Sequence, residues 1–235
     1  MRIQILADPD AVANEAAAKI AAEARRAVAV RKRFVMAVSG GHTPWIMLRA
    51  LAKLDLPWDV VHVFQVDERV APAGDADRNL THLNDSLLNR APLPPEQVHA
   101  MPVESPELDA AAANYSQTLC EIAGSPPVLD LVHLGLGPDG HTASLVPGDP
   151  VLDVTEKDVA LTGLYQGRRR MTLTYPVLNR SRQILWLVTG AEKAEMLLRL
   201  SNGDRSIPAG RIRQEHAILL ADRAAAAKLG AQLTI

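Results

Sequence analysis

Residues 129–150 read LDLVHLGLGPDGHTASLVPGDP, and the fold prediction starts from this segment. It opens with a short apolar run at residues 129–134, bounded by Pro127 and Gly135. Such a run predicts a β-strand that is buried on both faces, as in a parallel sheet. Glycines and a proline then interrupt the pattern, which predicts a loop, and His141 follows directly. Because open parallel sheets bind ligands at the carboxyl ends of their strands, this loop is a candidate active site.

The same alternation of strand and helix patterns continues along the chain. We predict strands at residues 3–7, 34–38, 60–66, 98–103, 129–134, 159–162, 171–175, 183–188 and 217–220. We predict helices at residues 9–30, 44–54, 80–89, 105–123 and 191–200, and a final helix capped by Asp222. No repeat or linker separates these elements. The sequence therefore predicts a single α/β domain over residues 1–235, Rossmann-like, with a mainly parallel sheet and helices on both faces.

The composition restricts the possible function classes. The 235 residues carry a formal net charge of −2, which gives no basic surface for nucleic acid or for an anionic membrane. Cys120 stands alone, so an internal disulfide is excluded, and its apolar neighbours predict a buried helical thiol. No apolar stretch approaches the ~18 residues that span a bilayer, and the N-terminal apolar run is too short for a signal peptide. We expect a soluble cytoplasmic protein, a monomer or weak homo-oligomer, with a small-molecule partner.

A second glycine-rich turn, at residues 39–43, follows the predicted strand at 34–38. Pro44 then fits the first position of a helix. Backbone N–H groups and hydroxyls at a helix N-terminus suit a phosphate, through hydrogen bonds and through the helix dipole. A plain tight turn in which Thr43 caps the helix explains the pattern equally well. The pattern alone leaves both interpretations open.

Charged residues occur next to further predicted strands. Asp67 and Arg69 follow the third predicted strand, and Lys193 lies in the first turn of the helix after the eighth. A first-turn lysine opposes the helix dipole unless an anion binds there, although such a lysine ordinarily points into solvent. Arg170 ends a run of three arginines, and strand alternation would point it to the ligand side of the sheet. Together with the loop around His141, these turns predict an anionic small-molecule site at one edge of the sheet.

Two other interpretations of the glycine-rich turns are disfavoured. Residues 135–140, GLGPDG, match the GxGxxG fingerprint of dinucleotide-binding turns. However, Asp139 would place a negative charge beside the pyrophosphate, and Pro138 has no N–H to donate to it. Residues 37–41, AVSGG, loosely resemble a nucleophile elbow around Ser39, but the first glycine of that motif is missing.

Five segments together resemble the 6-phosphogluconolactonases, in the wider group that includes glucosamine-6-phosphate isomerase/deaminase. The segments are VSGGHTP (38–44), VDER (66–69), LGLGPDGHTASLVPG (134–148), RMTLTYPVLN (170–179) and VTGAEKA (188–194). Their order and spacing cover most of the chain, and GPDGHTASL is specific. The resemblance implies one α/β domain that hydrolyses 6-phospho-D-glucono-1,5-lactone to 6-phosphogluconate, in the oxidative pentose phosphate pathway, without a metal or redox cofactor.

The resemblance also implies roles for individual residues. His141 would be the general base that activates water against the lactone carbonyl. Asp139 would be the neighbouring carboxylate that orients or polarises it. The glycine-rich turn would line the phosphate site, with charge supplied by Arg69 and Lys193. Arg170 matches a family position as well. The residues expected to bind substrate are Ser39, Gly40, Gly41, Thr43, Asp67, Arg69, Arg170 and Lys193.

The sequence departs from the family pattern at two positions. His42 and Arg78 stand where smaller residues such as serine are expected, and either could rim the pocket. An amino-sugar phosphate isomerase/deaminase is an alternative function, but such proteins usually carry Tyr at the position of Arg69 and Glu at that of Val146. A non-catalytic sugar-phosphate-binding protein is a second alternative, and the presence of His141 beside its carboxylate argues against it.

Overall fold

The computed structural model describes residues 1–230, which form two β-sheets. In these residues the strands are β1 (Arg2–Leu6), β2 (Phe34–Val38), β3 (Val61–Gln65), β4 (Asp67–Arg69), β5 (Val98–His99), β6 (Leu131–Gly135), β7 (Val159–Leu161), β8 (Arg170–Leu173), β9 (Ile184–Val188) and β10 (Ala217–Asp222). Seven strands form a parallel sheet in the order β1-β10-β9-β6-β2-β3-β5. The other three form a small antiparallel sheet in the order β4-β8-β7.

The α-helices connect these strands, and short 3₁₀ turns occur between them. They are α1 (Pro9–Arg31), α2 (His42–Leu51), α3 (Asn79–Leu83), α4 (Leu108–Ala123), α5 (Tyr175–Arg180) and α6 (Ala194–Ser201). Helix α1 begins where the sequence predicts, because Pro9 occupies its first turn and the Asp8 carboxylate accepts the Ala11 N–H at 2.8 Å. Among residues 1–230, no helix is long and apolar enough to cross a membrane.

Apolar side chains on the two faces of the large sheet form two separate cores. One core contains Ile20 of α1, Met47 of α2 and Met36 of β2. The other contains Leu119 of α4 and residues of α5, α6 and the small sheet. Burial of strands on both faces explains why their sequences are continuous apolar runs. The predicted fold class, a mainly parallel α/β sheet with helices on both faces, is confirmed.

Strands β2 and β6 lie next to each other where the order of the strands reverses. From β2 the chain continues to β3 on one side, whereas β6 is flanked by β9 on the other. Helix α2, which follows β2, belongs to one core, and α5, which precedes β9, belongs to the other. The loops after β2 and β6 therefore diverge, and a crevice opens at the carboxyl ends of these strands.

The small sheet is the main departure from the prediction. Residues 67–69, expected as charged residues at the end of a strand, form β4, and Asp67 pairs with Thr172. This pairing joins parts of the chain that are far apart in sequence, so no local pattern indicates it. The strand predicted at 171–175 ends at Leu173, because Pro176 lies in the first turn of the unpredicted helix α5.

Other boundaries differ in smaller ways. The strand predicted at 98–103 is only two residues long, because the Met101 N–H donates to the Gln65 side chain at 2.9 Å instead of to a strand. The helix predicted after Asp222 is a single 3₁₀ turn at Ala225–Lys228, and residues 231–235 lie outside the described residues. Cys120 lies in α4 as predicted, but it is half-buried rather than buried.

Candidate active site

A cavity of about 370 Å³ opens at the carboxyl ends of β2, β6 and β9, and this volume is in the range of small-molecule sites. Nine of the ten predicted site residues line it: Ser39, Gly40, Gly41, Thr43, Asp67, Arg69, His141, Arg170 and Lys193. The tenth, Asp139, is not part of the lining and instead contacts His141. The structure therefore brings the predicted residues together, as expected for turns at one edge of a parallel sheet.

His141 and Asp139 form a hydrogen-bonded pair in the loop after β6. Asp139 Oδ1 lies 2.5 Å from His141 Nδ1 and accepts the His141 backbone N–H at 3.1 Å. Burial raises the pKa of Asp139, but the imidazole and these hydrogen bonds outweigh burial and hold that pKa below its usual value. Because an ionised carboxylate can only accept, Nδ1 donates to it, and in the neutral form of the imidazole the lone pair is then on Nε2. The pair can therefore act as a base through Nε2.

Glycines in this loop make room for the pair. A Cβ atom on Gly137 would overlap His141 Nδ1 and would lie 2.7 Å from Asp139 Oδ1. The Gly137 N–H donates to the His141 carbonyl at 2.8 Å, which closes the loop. Gly140 has a φ of 84°, and its Cβ would lie 2.8 Å from Ile207. Glycine is therefore required at these positions because a larger residue would overlap neighbouring side chains.

The turn at residues 39–43 borders the same cavity. Gly41 is the N-cap of α2 with a φ of 128°, and no side chain caps this helix. The N–H groups of the first turn therefore have no intrahelical partner, an arrangement that suits an anion. Thr43 lies inside α2, and its Oγ1 is 2.7 Å from Thr189 Oγ1 in the loop after β9. The structure thus disagrees with the interpretation in which Thr43 caps the helix.

Ser39 is held in place by His133 of β6. The Ser39 N–H donates to His133 Nδ1 at 3.2 Å, and the Ser39 hydroxyl donates to the His133 carbonyl at 3.1 Å. Burial lowers the pKa of His133 to about 3, so the ring is neutral at pH 7. Because the imidazole accepts from the Ser39 backbone rather than from its hydroxyl, the two residues do not form the contact that activates a serine nucleophile.

Three cationic side chains line the cavity, those of Arg69, Arg170 and Lys193. Within residues 1–230, none of them forms a salt bridge. Arg170 is only 5% exposed, and its Nε has no hydrogen-bond partner among these residues. Burial, followed by the neighbouring charge of Arg69, lowers the pKa of Arg170, and burial lowers that of Lys193. Since buried cations are costly without a partner, the cavity is suited to an anion.

Asn79, which no sequence pattern distinguishes, positions Arg69. Asn79 Oδ1 accepts from Arg69 Nη1, and Asn79 Nδ2 donates to the Asp67 carbonyl at 2.9 Å. The fully buried Glu68 accepts the backbone N–H groups of Arg69 and Asn79, each at 2.8 Å. A Cβ on Gly40 would overlap Asn79 Oδ1, so Asn79 also lies against the glycine-rich turn. Asn79 follows a polar loop, where no pattern distinguishes it from its neighbours.

Asp67 lines the cavity, yet protein groups already engage its carboxylate. Oδ2 accepts the Ser144 hydroxyl at 2.6 Å, and Oδ1 lies 3.3 Å from Asn79 Nδ2. Asp67 is 5% exposed. These contacts hold β4 against the loop after β6, and substrate binding by Asp67 stays a prediction.

The two departures from the family pattern lie in different places. His42 lines the cavity at the start of α2, as expected. Arg78 does not line it, because Arg78 is 2% exposed and forms ion pairs with Glu68 and Glu104. The expectation that Arg78 could rim the pocket is therefore wrong, since these carboxylates hold its guanidinium inside the protein.

The residues around the cavity do not match the arrangement of a metal centre or of a dinucleotide-binding turn. In residues 1–230, no group of three or more His, Cys, Asp or Glu side chains is placed to hold a metal ion. The GxGxxG-like segment at 135–140 is followed by turns and an isolated bridge rather than by a helix. It therefore lacks the helix N-terminus on which a dinucleotide pyrophosphate sits.

The class of protein follows from comparison of the whole chain with known families. The family described as glucosamine-6-phosphate isomerases/6-phosphogluconolactonase matches residues 7–220. The chain belongs to this family.

Within this family, curated relatives named 6-phosphogluconolactonase are similar to the chain over almost its whole length. The chain is 37% identical over 241 residues to the 6-phosphogluconolactonase of Mycobacterium tuberculosis, which covers 97% of this chain and 98% of that protein. It is 34% identical over 235 residues to the 6-phosphogluconolactonase of Nostoc sp., with the same coverage. The predicted family is confirmed, and the names of these relatives agree with the predicted enzyme class, a hydrolase that acts on a lactone.

Solved structures share the fold. The 6-phosphogluconolactonase of Thermotoga maritima has a TM-score of 0.83 and 28% identity, and the match covers 94% of this chain and 98% of that one. A monomeric glucosamine-6-phosphate deaminase has a TM-score of 0.85 at 19% identity, over 97% of this chain and 100% of that one. The second similarity concerns the fold alone.

Proposed function

We propose that the protein hydrolyses 6-phospho-D-glucono-1,5-lactone to 6-phospho-D-gluconate, a step of the oxidative pentose phosphate pathway. One observation carries the proposal: the His141–Asp139 pair lies at the same cavity as Arg69, Arg170 and Lys193. A base and several cations in one cavity suit a substrate that has both an electrophilic carbonyl and a phosphate. The curated relatives at 34% and 37% identity bear the name of this activity.

The phosphate would bind at the turn before α2. The N–H groups of the first helical turn lie there without a side-chain cap. The cavity lining at this end includes Thr43, whose hydroxyl contacts Thr189, and Arg69, whose guanidinium contacts Asn79. Asn79 supports this assignment, because it contacts both Arg69 and Gly40 and so keeps the guanidinium beside the glycine-rich turn. Lys193 would supply a further charge. Binding energy from the phosphate would position the lactone, so the enzyme should prefer the phosphorylated lactone strongly over plain gluconolactone.

The chemistry would occur at the His141 end of the cavity. A lactone is already an activated ester, so no covalent nucleophile is needed. His141 Nε2 takes a proton from water while the water oxygen bonds to the lactone carbonyl carbon. The tetrahedral intermediate then collapses, the bond from that carbon to the ring oxygen breaks, and the ring oxygen receives the proton from the imidazolium. General-base catalysis of this kind contributes ~10²–10⁴-fold.

Arg170 would stabilise the oxyanion of the tetrahedral intermediate. Its guanidinium is held over the ring of Tyr165, 4.9 Å from the centroid, and the Tyr165 hydroxyl contacts Asp139. These contacts place the guanidinium close to the base pair, and Arg170 lines the same cavity as His141. A donor aimed at a developing oxyanion is worth about 3 kcal/mol.

A comparison of three substrates tests the proposed function. Purified protein would be offered the phosphorylated lactone, plain gluconolactone and glucosamine 6-phosphate, with acid and ammonia release followed separately. We expect acid release from the phosphorylated lactone, much slower acid release from the plain lactone, and no ammonia. Release of ammonia would instead identify an amino-sugar phosphate deaminase. That result is not expected, because the buried Val146 stands where such enzymes need a carboxylate.

A further inference from the structure

Tyr165 lies beside the His141–Asp139 pair, yet neither the sequence patterns nor the family resemblance gives it a role. We propose that Tyr165 is a positioning residue, whose hydroxyl holds the second carboxylate oxygen of Asp139 and thereby keeps His141 in the orientation and tautomer needed for catalysis. This inference rests on the proposed function of His141 as the general base.

The contacts form a chain that leads away from the cavity. His141 lines the cavity, and its Nδ1 lies 2.5 Å from Asp139 Oδ1. The other carboxylate oxygen, Asp139 Oδ2, accepts the Tyr165 hydroxyl at 3.1 Å. The rings of His141 and Tyr165 meet edge to face, with centroids 5.5 Å apart. Tyr165 is absent from the cavity lining, and its hydroxyl lies closer to the Asp139 carboxylate than to His141 Nδ1, which is 3.5 Å away. It therefore acts on the base pair, mainly through Asp139, rather than on the substrate.

A tight turn between β7 and β8 fixes the position of Tyr165. The Tyr165 N–H donates to the Arg168 carbonyl at 3.0 Å, and the Arg168 N–H donates back at 3.2 Å. Between them, Gln166 and Gly167 have φ values of 52° and 78°, as in the two-residue turns that join antiparallel strands. Leu164 on the same turn is 76% exposed, whereas Tyr165 is partly buried. The turn therefore directs one aromatic side chain inward.

Tyr165 also contacts Arg170, which lines the cavity. Its guanidinium stacks on the Tyr165 ring, and its Nη2 donates to Gln166 Oε1 at 3.1 Å. Because Arg170 itself lines the cavity, Tyr165 touches both the proposed oxyanion donor and the carboxylate behind the proposed base. The relative placement of these two groups therefore depends on one side chain.

The Tyr165 hydroxyl is protonated at neutral pH and can therefore donate a hydrogen bond to Asp139. Burial, followed by the hydrogen bond to Asp139, raises the pKa of Tyr165, so the phenol stays protonated at neutral pH. A hydrogen bond to a charged acceptor is stronger than one between neutral groups. With one oxygen bound by the imidazole and the other by the phenol, the Asp139 carboxylate cannot rotate freely. Among residues 1–230, the charged side chains that line the cavity together with His141 are Asp67, Arg69, Arg170, Glu192 and Lys193.

Tyr165→Phe tests the inference, because it removes the hydroxyl and keeps the ring under Arg170. We expect kcat to fall roughly tenfold with little change in KM, since the phosphate turn is untouched. Without the phenol, the Asp139 carboxylate interacts more strongly with a protonated imidazole, so the acid limb of the kcat/KM profile should move to higher pH. A purely structural role would not move this limb.

Two further variants sharpen the test. Leu164→Ala changes an exposed side chain of the same turn and should leave kcat, KM and the pH profile unchanged. Tyr165→Phe in an Asp139→Ala background should lower kcat by less than about twofold, because the phenol acts through the carboxylate. Full additivity of the two substitutions would overturn the inference, as would wild-type kcat and an unmoved acid limb in the single variant.

The outcomes separate this inference from the proposed function. If His141→Ala keeps full turnover, the assignment of the base fails and the role of Tyr165 fails with it. If His141→Ala is inactive while Tyr165→Phe behaves as wild type, the proposed function stands and only the role of Tyr165 is refuted.

Discussion

Replacing Gly137 by alanine would place a methyl group in the space that the His141–Asp139 pair occupies. The added Cβ would overlap His141 Nδ1 and lie 2.7 Å from Asp139 Oδ1, whereas carbon atoms in contact stay ~3.5–4.0 Å from their neighbours. The two side chains must therefore move by about 1 Å. The φ of Gly137 is not in the left-handed region, so alanine adds no backbone strain at this position.

The expected effect of Gly137→Ala is on catalysis rather than on folding. Displacement of a catalytic group by about 1 Å costs on the order of 10²-fold in rate, so kcat should fall about 100-fold. The binding of 6-phosphogluconate, measured by calorimetry, should change little because the proposed phosphate turn at residues 39–43 is separate from Gly137. Gly230→Ala is the control, since a Cβ there meets no atom of residues 1–230 within 4 Å, and it should keep full activity. A Gly137→Ala enzyme with normal kcat would refute the steric argument.

Two further predictions concern charge and pH. Arg69→Ala and Lys193→Ala should each raise KM by roughly 10–100-fold with a smaller change in kcat, because each would lose a charged hydrogen bond that we propose it makes to the phosphate. Arg168→Ala is the control and should keep its KM, because the Arg168 guanidinium pairs with Asp75 and Asp77 outside the cavity. The neutral, buried His133 contributes stability that is complete above pH ~6.5 and is lost as the pH falls toward about 3, at ~1.4 kcal/mol per pH unit. Between pH 7 and pH 5, His133 should therefore contribute about 2 kcal/mol to the loss of stability that urea unfolding measures, in addition to the loss from His99, whose pKa burial lowers to about 4. His133→Asn should remove the His133 contribution, and equal pH dependence in both proteins would contradict the assignment.

The large sheet and the position of the site are predictable because they depend on local pattern and one geometric rule. Buried parallel strands need apolar side chains on both faces, so segments such as residues 131–135 and 184–188 are recognisable in the sequence. The glycines of the two turns are also informative in the sequence, because each position requires glycine. A Cβ on Gly137 would overlap His141, and Gly41 has a positive φ that other residues rarely adopt. Since the carboxyl ends of parallel strands share one edge, turns far apart in sequence could be assigned to one site.

The remaining features depend on contacts that local pattern does not contain. The pairing of β4 with β8 joins residues 67–69 to residues 170–172, so its register is set by the folded chain. Asn79 and Tyr165 lie in polar or irregular segments, and their importance follows only from what they touch. Arginine is usually a surface residue, but ion pairs with Glu68 and Glu104 hold Arg78 in the interior. In each case the deciding interaction is between distant parts of the sequence.

His141→Ala tests the account of this site most directly, with lactone hydrolysis and 6-phosphogluconate binding measured on the same preparation. Loss of the proposed base should lower kcat by ~10²–10⁴-fold, while the dissociation constant of 6-phosphogluconate stays within about threefold of wild type, because the proposed phosphate turn and the neighbouring cations are intact. Turnover close to that of the wild-type enzyme, or loss of product binding in parallel with turnover, would contradict the separation of a base from a phosphate site within one cavity.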